Sequence, residues 1–329
     1  MSGKVKIGII GYGNLGRGVE AAISRTDDLE LVAVFSRRDP KTVEILHPET
    51  VQVLHIDEVE NFKNTIDVMI LCGGSAKDLP EQGPQFAQYF NTIDSFDTHA
   101  KIPEYFASMD EVATPAKKTS IISVGWDPGM FSMNRLMGEA ILPVGETYTF
   151  WGKGLSQGHS DAVRRVEGVK AGVQYTIPME DAMNRVRNGE NPELTTKEKH
   201  LRQCYVVPEA GVDTDKLAET IKTMPHYFAD YQTEVHFITE EELQKNHAKM
   251  MHGGFVIRSG ETGEGNKQIV EYSLKLDSNP EYTASVLVAY ARAAYKLNQT
   301  GQYGAKTVFD VPLSAISPKD PKDLRKELL

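Results

Sequence analysis

Cysteine is nearly missing from this chain of 329 residues, which has only Cys72 and Cys204. Two are too few for a disulfide framework, and they read as reduced thiols of a cytoplasmic protein. No apolar run approaches the roughly 20 residues that a membrane helix requires. The N-terminus has no separate apolar segment before a small-residue cleavage site, so nothing there directs export. Positive charge is short as well: 36 Lys and Arg stand against 46 Asp and Glu, for a formal net charge of −10. That argues against nucleic acid or an anionic membrane as partner, and leaves acidic ligands to be met by local Arg, Lys or His. Metal spacing is missing too. His247 and His252 are five apart, and His200 and Cys204 lie on an expected strand, so neither pair forms a zinc motif and no metal is expected. No phosphate-binding G-K-[ST] occurs.

What is present begins at residues 4–18, KVKIGIIGYGNLGRG, where a β-branched strand runs into Gly11, Gly13 and Gly16 and then into a helix. This is the dinucleotide fingerprint G-x-G-x-x-G. Gly11 allows the tight turn, Gly13 the approach of a pyrophosphate and Gly16 the packing of helix on strand, while Tyr12, Asn14 and Leu15 complete the loop. About twenty residues on, at the end of the second strand, an NAD enzyme usually carries an acid. Here stand Ser36, Arg37 and Arg38, a hydroxyl and two guanidiniums suited to a ribose 2′-phosphate, so the expected cofactor is NADP.

Strand and helix alternate through the first third, with strands at 4–10, 29–35, 51–56, 67–72, 91–94 and 120–124 and helices from 14, near 81–89 and over 103–117. The pattern is that of an α/β doubly wound parallel sheet, in which ligands bind beyond the carboxyl ends of the strands. The residues in that position are Cys72, Gly73, Gly74 and Ser75; Ser95, Phe96 and Asp97; and Gly125, Trp126, Asp127 and Pro128. From about Gly145 the strands lengthen and become amphipathic, at 146–151, 174–177, 202–207, 234–238, 254–258 and 268–276, which predicts a mixed or antiparallel sheet in a second α+β domain. Asn279-Pro280-Glu281 has the form of an N-cap, a proline at the first helical position and a first-turn acid. It opens an Ala-rich helix to about Gln299, expected to return and cover the nucleotide domain.

Asp127, before Pro128, suits the N-cap of a helix over 130–141 and also faces the expected nicotinamide side of the sheet, where it can hold a substrate ammonium. Asp97 closes the turn after the fifth strand and combines an Asx-turn role with the same exposure. The segment 151–161, WGKGLSQGHSD, is Gly-rich for a stretch with Trp151, Gln157 and His159, and reads as a loop that folds over a ligand. Thr176, Arg202 and His252 can together form a carboxylate clamp, although spacing does not show that they converge.

The runs GYGNLGRG, SRR, VGWDPGMFSMNRL, FWGKGLSQGHSDAVRR, RQCYVV, MHGGFV and VEYSLKLDSNP closely resemble the meso-diaminopimelate D-dehydrogenase family across nearly the whole chain. The pattern departs at Lys77, where Thr is commoner. The resemblance implies a discontinuous Rossmann domain, here residues 1–122 and 278–329, and a substrate-binding and dimerisation domain, residues 123–277, in a cytoplasmic homodimer. It implies reversible NADP-dependent oxidative deamination of the D-centre of meso-2,6-diaminopimelate to L-2-amino-6-oxopimelate, which cyclises to tetrahydrodipicolinate, with ammonia, serving lysine and peptidoglycan synthesis. Carried over by motif, Asp97 and Asp127 belong at the reacting D-carbon with Trp126, Trp151, Gln157 and Gly158 around it, and Thr176, Arg202, His252 and Asn279 hold the L-centre. Two other classes share the fingerprint: a related amino-acid dehydrogenase or reductase, and a non-catalytic NADPH sensor, which has no need of the two aspartates.

Overall fold

The computed structural model describes residues 3–329. The chain runs β1 (Val5–Ile10), α1 (Asn14–Ile23), β2 (Leu29–Ser36), β3 (Gln52–His55), β4 (Val68–Leu71), α2 (Leu79–Ala87), β5 (Asn91–Asp94), α3 (Ile102–Ala113), β6 (Thr119–Ile121) and α4 (Met130–Ile141). It continues through β7 (Gly145–Trp151), β8 (Gly154–Leu155), α5 (Gln157–Arg164), β9 (Val169–Pro178), α6 (Glu180–Arg187), α7 (Thr196–Lys199), β10 (His200–Pro208), α8 (Thr214–Lys222) and β11 (Gln232–Phe237). Then come α9 (Glu240–His247), β12 (His252–Glu261), β13 (Lys267–Leu276), α10 (Asn279–Gln299), β14 (Gly304–Lys306), α11 (Leu313–Ile316) and α12 (Pro321–Leu328). Two compact units result, residues up to 133 with 280–329, and residues 134–279.

The first unit is built on a seven-stranded sheet ordered β14-β6-β5-β4-β1-β2-β3, parallel at every pairing. Its central strands are buried on both faces, as in Val68–Leu71, which is why they read as continuous apolar runs. One face packs under α1 and α10 through Val19, Ile23, Leu287, Tyr290 and Ala294. The other packs under α2 and α3 through Leu79, Phe86, Tyr105 and Met109. The alanines of α10 permit close approach: a Cβ on Gly18 of α1 would lie 2.9 Å from that of Ala284. Arg292 of α10, almost fully buried, pairs through its guanidinium with Asp28 before β2. The hydrogen bond from Arg292, against the opposing effect of burial, holds the Asp28 carboxyl below its usual range.

The second unit contains two sheets where the sequence suggested one. Strands β11-β10-β9-β8 form a mixed sheet and β13-β12-β7 an antiparallel one. The division falls at Gly152, at φ +113, where a Cβ would lie 2.1 Å from the Thr176 carbonyl. Only glycine lets the chain leave one sheet there and enter the next within three residues. Helices α5 and α8 cover the mixed sheet around Val163, Cys204, Val206, Leu217 and Phe228, and α6 packs on the other through Met183 and Val186 against Phe150 and Ile257.

Several element ends shift for identifiable reasons. The sixth strand stops at Ile121, not residue 124, because Ser123 turns to φ +57 and its amide leaves the sheet for the Asp94 carboxylate at 3.1 Å. The helix expected to run to residue 117 ends at Ala113, just before Pro115, and the chain reverses at Lys117 with φ +55. The expected loop 151–161 is largely ordered secondary structure, the end of β7, all of β8 and the first turn of α5. α4 begins at Met130, so Asp127 and Pro128 form a turn ahead of the helix and are not its cap and first residue. Asn279 is itself the first residue of α10, one position inside the expected cap.

Candidate active site

In the first unit the carboxyl ends of β1, β2, β4, β5 and β6 bring the expected cofactor residues to one edge of the sheet. Gly11 has φ +87, and a Cβ on Gly16 would lie 2.3 Å from the Gly11 carbonyl oxygen, so these two glycines build the turn. Gly13 differs: a Cβ there meets nothing within 4 Å. The fold does not need that glycine, and the open space above it is what a bound pyrophosphate requires. Gly13 also occupies the capping position of α1 and has no side chain to cap with. The loop therefore fits a dinucleotide phosphate on the helix N-terminus.

The side chain of Tyr12 is buried and points away from that space, its hydroxyl donating to the Glu20 carboxylate. Glu20 is itself almost fully buried and accepts from Leu46 N at 3.1 Å and His47 N at 2.8 Å, with the His47 ring at 3.0 Å. Burial raises its pKa, but these hydrogen bonds outweigh that and hold it below the usual carboxylate value. Burial, then the hydrogen bond to Glu20, pushes the Tyr12 hydroxyl up. Sequence reading missed Glu20; its only signal was an acid among the apolar positions of α1. Ser36 is buried and its Oγ accepts from Arg38 N at 3.1 Å, while Arg38 donates to the Tyr12 carbonyl at 2.6 Å, fixing the basic turn against the glycine loop.

Cys72, Gly73, Gly74 and Ser75 follow β4. Ser75 Oγ accepts from Asp97 N at 2.9 Å and meets Thr98 Oγ1 at 3.2 Å. Ser95 precedes Phe96, whose ring is buried and stacked on Tyr105 at 4.2 Å, so Phe96 offers a ligand only its main chain. Asp94, fully buried, is the second missed residue. One oxygen accepts from Phe96 N at 3.0 Å and Ser123 N at 3.1 Å, the other from Tyr105 Oη at 2.8 Å. Burial, opposed by these bonds, raises its pKa to about 6. A single carboxylate thus anchors both the turn bearing Asp97, which is exposed, and the segment leading to Trp126 and Asp127. Trp126 is buried edge-on against Phe131 and bridges Gly129 around Asp127 and Pro128.

In the second unit, antiparallel register sets Arg202 of β10 opposite Thr176 of β9, and the guanidinium donates to Thr176 Oγ1. Arg202 is 7% exposed and stacks over the Tyr231 ring at 4.0 Å. Among the described residues no acid is paired with it, and Nε has no partner. Burial lowers the Arg202 pKa from its ordinary value. Gly154 pairs with Thr176 and packs against the His252 ring, so close that a Cβ on it would lie 2.3 Å from that ring. Gln157 Nε2 approaches Met250 Sδ at 3.5 Å, and Asn279 N donates to the Met250 carbonyl at 2.9 Å. Thr176, Arg202 and His252 therefore converge, with Gln157 and Asn279 tied to Met250 beside His252; Gly158, in the first turn of α5, is exposed.

His200, two residues before Arg202, was missed as a site residue. Its Nε2 accepts from Trp151 N at 2.9 Å and its ring stacks on the Trp151 indole at 5.3 Å. Burial, then Arg202 and Lys199, lower its pKa to about 3, keeping it a neutral acceptor. Gln174, fully buried on the same face of β9 as Thr176, has no partner on either amide atom. Sequence reading finds no G-x-S-x-G elbow, yet Gly154-Leu155-Ser156-Gln157-Gly158 has that spacing. Ser156 is in ordinary extended geometry, φ −89 and ψ 116, and its partner His159, at 3.0 Å, is pushed to about 4 by burial and Arg202. It lacks the strained turn of such an elbow, and the imidazole is too weak a base to activate a serine at neutral pH.

A doubly wound parallel sheet, an open glycine turn on a helix N-terminus and two arginines after the second strand define an NADP-dependent oxidoreductase of the Rossmann type. Residues 125–278 match the family described as diaminopimelic acid dehydrogenase C-terminal domain. The chain is 67% identical over 326 residues to the meso-diaminopimelate D-dehydrogenase of Ureibacillus thermosphaericus, covering 99% of each. Among solved structures it is similar to the C. glutamicum DAP dehydrogenase in complex with DAP, at 46% identity, 99% coverage of each chain and a TM-score of 0.90. It is also similar to an engineered D-amino acid dehydrogenase bound to NADP+, at 45% identity, covering 99% of this chain and 100% of that one, with a TM-score of 0.85. The chain belongs to the meso-diaminopimelate D-dehydrogenase family.

Proposed function

We propose that this chain catalyses the reversible oxidative deamination of the D-centre of meso-2,6-diaminopimelate, giving L-2-amino-6-oxopimelate and ammonia with reduction of NADP. The observation that carries the substrate reading is Arg202. A guanidinium taken out of water with no acidic partner and an orphaned Nε is costly unless a ligand supplies the anion, and a carboxylate fits its fork. Thr176 and His252 add hydrogen-bonding groups around it, and Asn279 completes the set assigned to the L-centre. Asp97 and Asp127 are assigned to the D-amino group, with Trp126, Trp151, Gln157 and Gly158 around the reacting carbon. Fixing the L-centre leaves only the opposite centre to be presented for reaction, which is the source of stereochemistry in this reading.

The bound nicotinamide supplies the hydride acceptor. The glycine loop would hold the pyrophosphate of the cofactor, Ser36, Arg37 and Arg38 its 2′-phosphate, and the main chain of residues 72–75 and 95–97 would line the rest of it. Deamination requires the substrate ammonium to lose a proton before hydride departs, and the carboxylate of Asp97 or of Asp127, or a water held by them, receives it. Water then adds to the substrate iminium and ammonia leaves.

The chain is read as a cytoplasmic homodimer. Leu136, Met137, Ile141 and Val144 are all exposed by half or more, a patch of the second unit suited to a second copy of this chain. Replacing Ile141 by Asp gives a monomer in size-exclusion chromatography if the patch is that interface. The reaction is tested by following NADPH formation with NADP and, separately, the meso, L,L and D,D isomers of diaminopimelate. Turnover largely confined to the meso isomer supports the reading. No turnover by protein that binds NADPH refutes it.

A further inference from the structure

Two groups assigned to the cofactor from sequence share one internal partner. Asp78 accepts from the Arg37 guanidinium at 2.8 Å through one carboxylate oxygen and from Gly74 N–H at 2.7 Å through the other. Asp78 directly precedes α2, where an aspartate ordinarily caps the first turn, yet its side chain makes no bond to the helix amides. It is turned instead toward the cofactor edge. The Arg37 side chain is 67% exposed against 21% for Asp78, so the carboxylate is held in place while the guanidinium is free to swing away. β2 and β4 flank β1 in the sheet, so the bridge links the two loops on either side of the glycine turn.

We propose that Asp78 is an internal stand-in for the ribose 2′-phosphate, a carboxylate that occupies Arg37 until the cofactor phosphate displaces it, and that it is a specificity-determining residue for the dinucleotide. The proposal rests on the reading that Arg37 meets the 2′-phosphate. A phosphate dianion outcompetes a single carboxylate for the same guanidinium, whereas the 2′-hydroxyl of NAD has no charge with which to do so. The stand-in thus lowers affinity for NADP modestly: an exposed pair of this kind shifts a binding equilibrium by a factor of up to about five.

The experiment is a fluorescence titration of NADPH and NADH into the full chain as wild type, Asp78→Asn, Arg37→Ala and the double variant. Asn retains an oxygen for Gly74 N–H, and unfolding midpoints verify that the variants are folded; Asp78→Ser serves if Asn is not. Removing the charge should tighten NADPH binding about 3- to 5-fold, leave NADH within about 2-fold and lose most of its effect in high salt or without Arg37. If Asp78→Asn weakens NADPH or leaves it unchanged while Arg37→Ala weakens it, Asp78 orients the arginine and the proposal fails. If Arg37→Ala leaves NADPH binding unchanged, the underlying reading of Arg37 fails, and the proposal with it.

Discussion

Between Gly11 and Gly16 the groups that define the site are main-chain amides and an empty space where a side chain would otherwise stand; between Thr176 and Arg202 they are side chains projected from two strands and sealed from water. The first arrangement can be read from neighbours in the chain, since three glycines within six residues already contain the geometry. The second exists only once register sets residues 26 apart opposite each other. Phosphate binding by backbone tolerates many side chains around it, whereas a buried guanidinium without an acid depends on each of its neighbours.

The sharpest way to break the contrast is Arg202→Ala. It should cut kcat/KM for the meso isomer by at least about 100-fold while leaving NADPH affinity unchanged, because truncating one partner of a desolvated charge pair costs several kcal/mol. An unchanged rate would show that the clamp is not where substrate selectivity arises. Next come the glycines. Gly13→Ala should leave the thermal midpoint near wild type and weaken NADPH binding about tenfold or more, since its Cβ meets no protein atom. Gly16→Ala should instead impair folding, with a Cβ 2.3 Å from the Gly11 carbonyl oxygen. Equal behaviour of the two would end the division into a glycine for ligand and a glycine for packing.

A smaller effect concerns pH. His200 titrates near 3 in the fold against about 6.5 unfolded. Between those values the unfolded chain binds the extra proton, so stability falls as pH drops from about 6.5 toward 3, on the order of 1 kcal/mol per pH unit for this group. His159, near 4, acts in the same direction. Urea midpoints measured from pH 7 to pH 4 should show the decline, and His200→Gln, which keeps an acceptor for Trp151 N, should flatten it. A slope unaltered in that variant would place the loss elsewhere. Smallest is Gln174→Met. Removing two unpartnered buried amide atoms should stabilise the ligand-free protein slightly, by up to about 1 kcal/mol, seen as a higher thermal midpoint, and a lowered midpoint would mean the amide is satisfied in solution.

Legibility in the sequence follows the same contrast. The parallel sheet, the glycine turn, the basic residues after β2 and the long returning helix were all visible, because each depends on residues close in sequence or on an unbroken apolar pattern. The split of the second unit into two sheets was not, because it depends on one glycine that must avoid the Thr176 carbonyl. Asp94, Glu20 and His200 were missed for a related reason. Their importance lies in accepting amide hydrogens from segments up to 49 residues away, and a buried polar residue in an apolar run looks the same whether or not it has such partners. The ordering of residues 151–161 was hidden by glycines whose open conformations serve sheet crossing and close packing on His252.

The return of residues 280–329 to the first unit also has a consequence for synthesis. The sheet lacks its edge strand β14 and the cover of α10 until residues 280–306 leave the ribosome, while residues 134–279 are already complete. At a translation rate of roughly 5–20 residues per second, the face that ends beneath Leu287, Tyr290 and Ala294 stays uncovered for on the order of ten seconds or more. The half of the protein that is made first is therefore the half that finishes last, and during that interval its apolar face is open to chaperones.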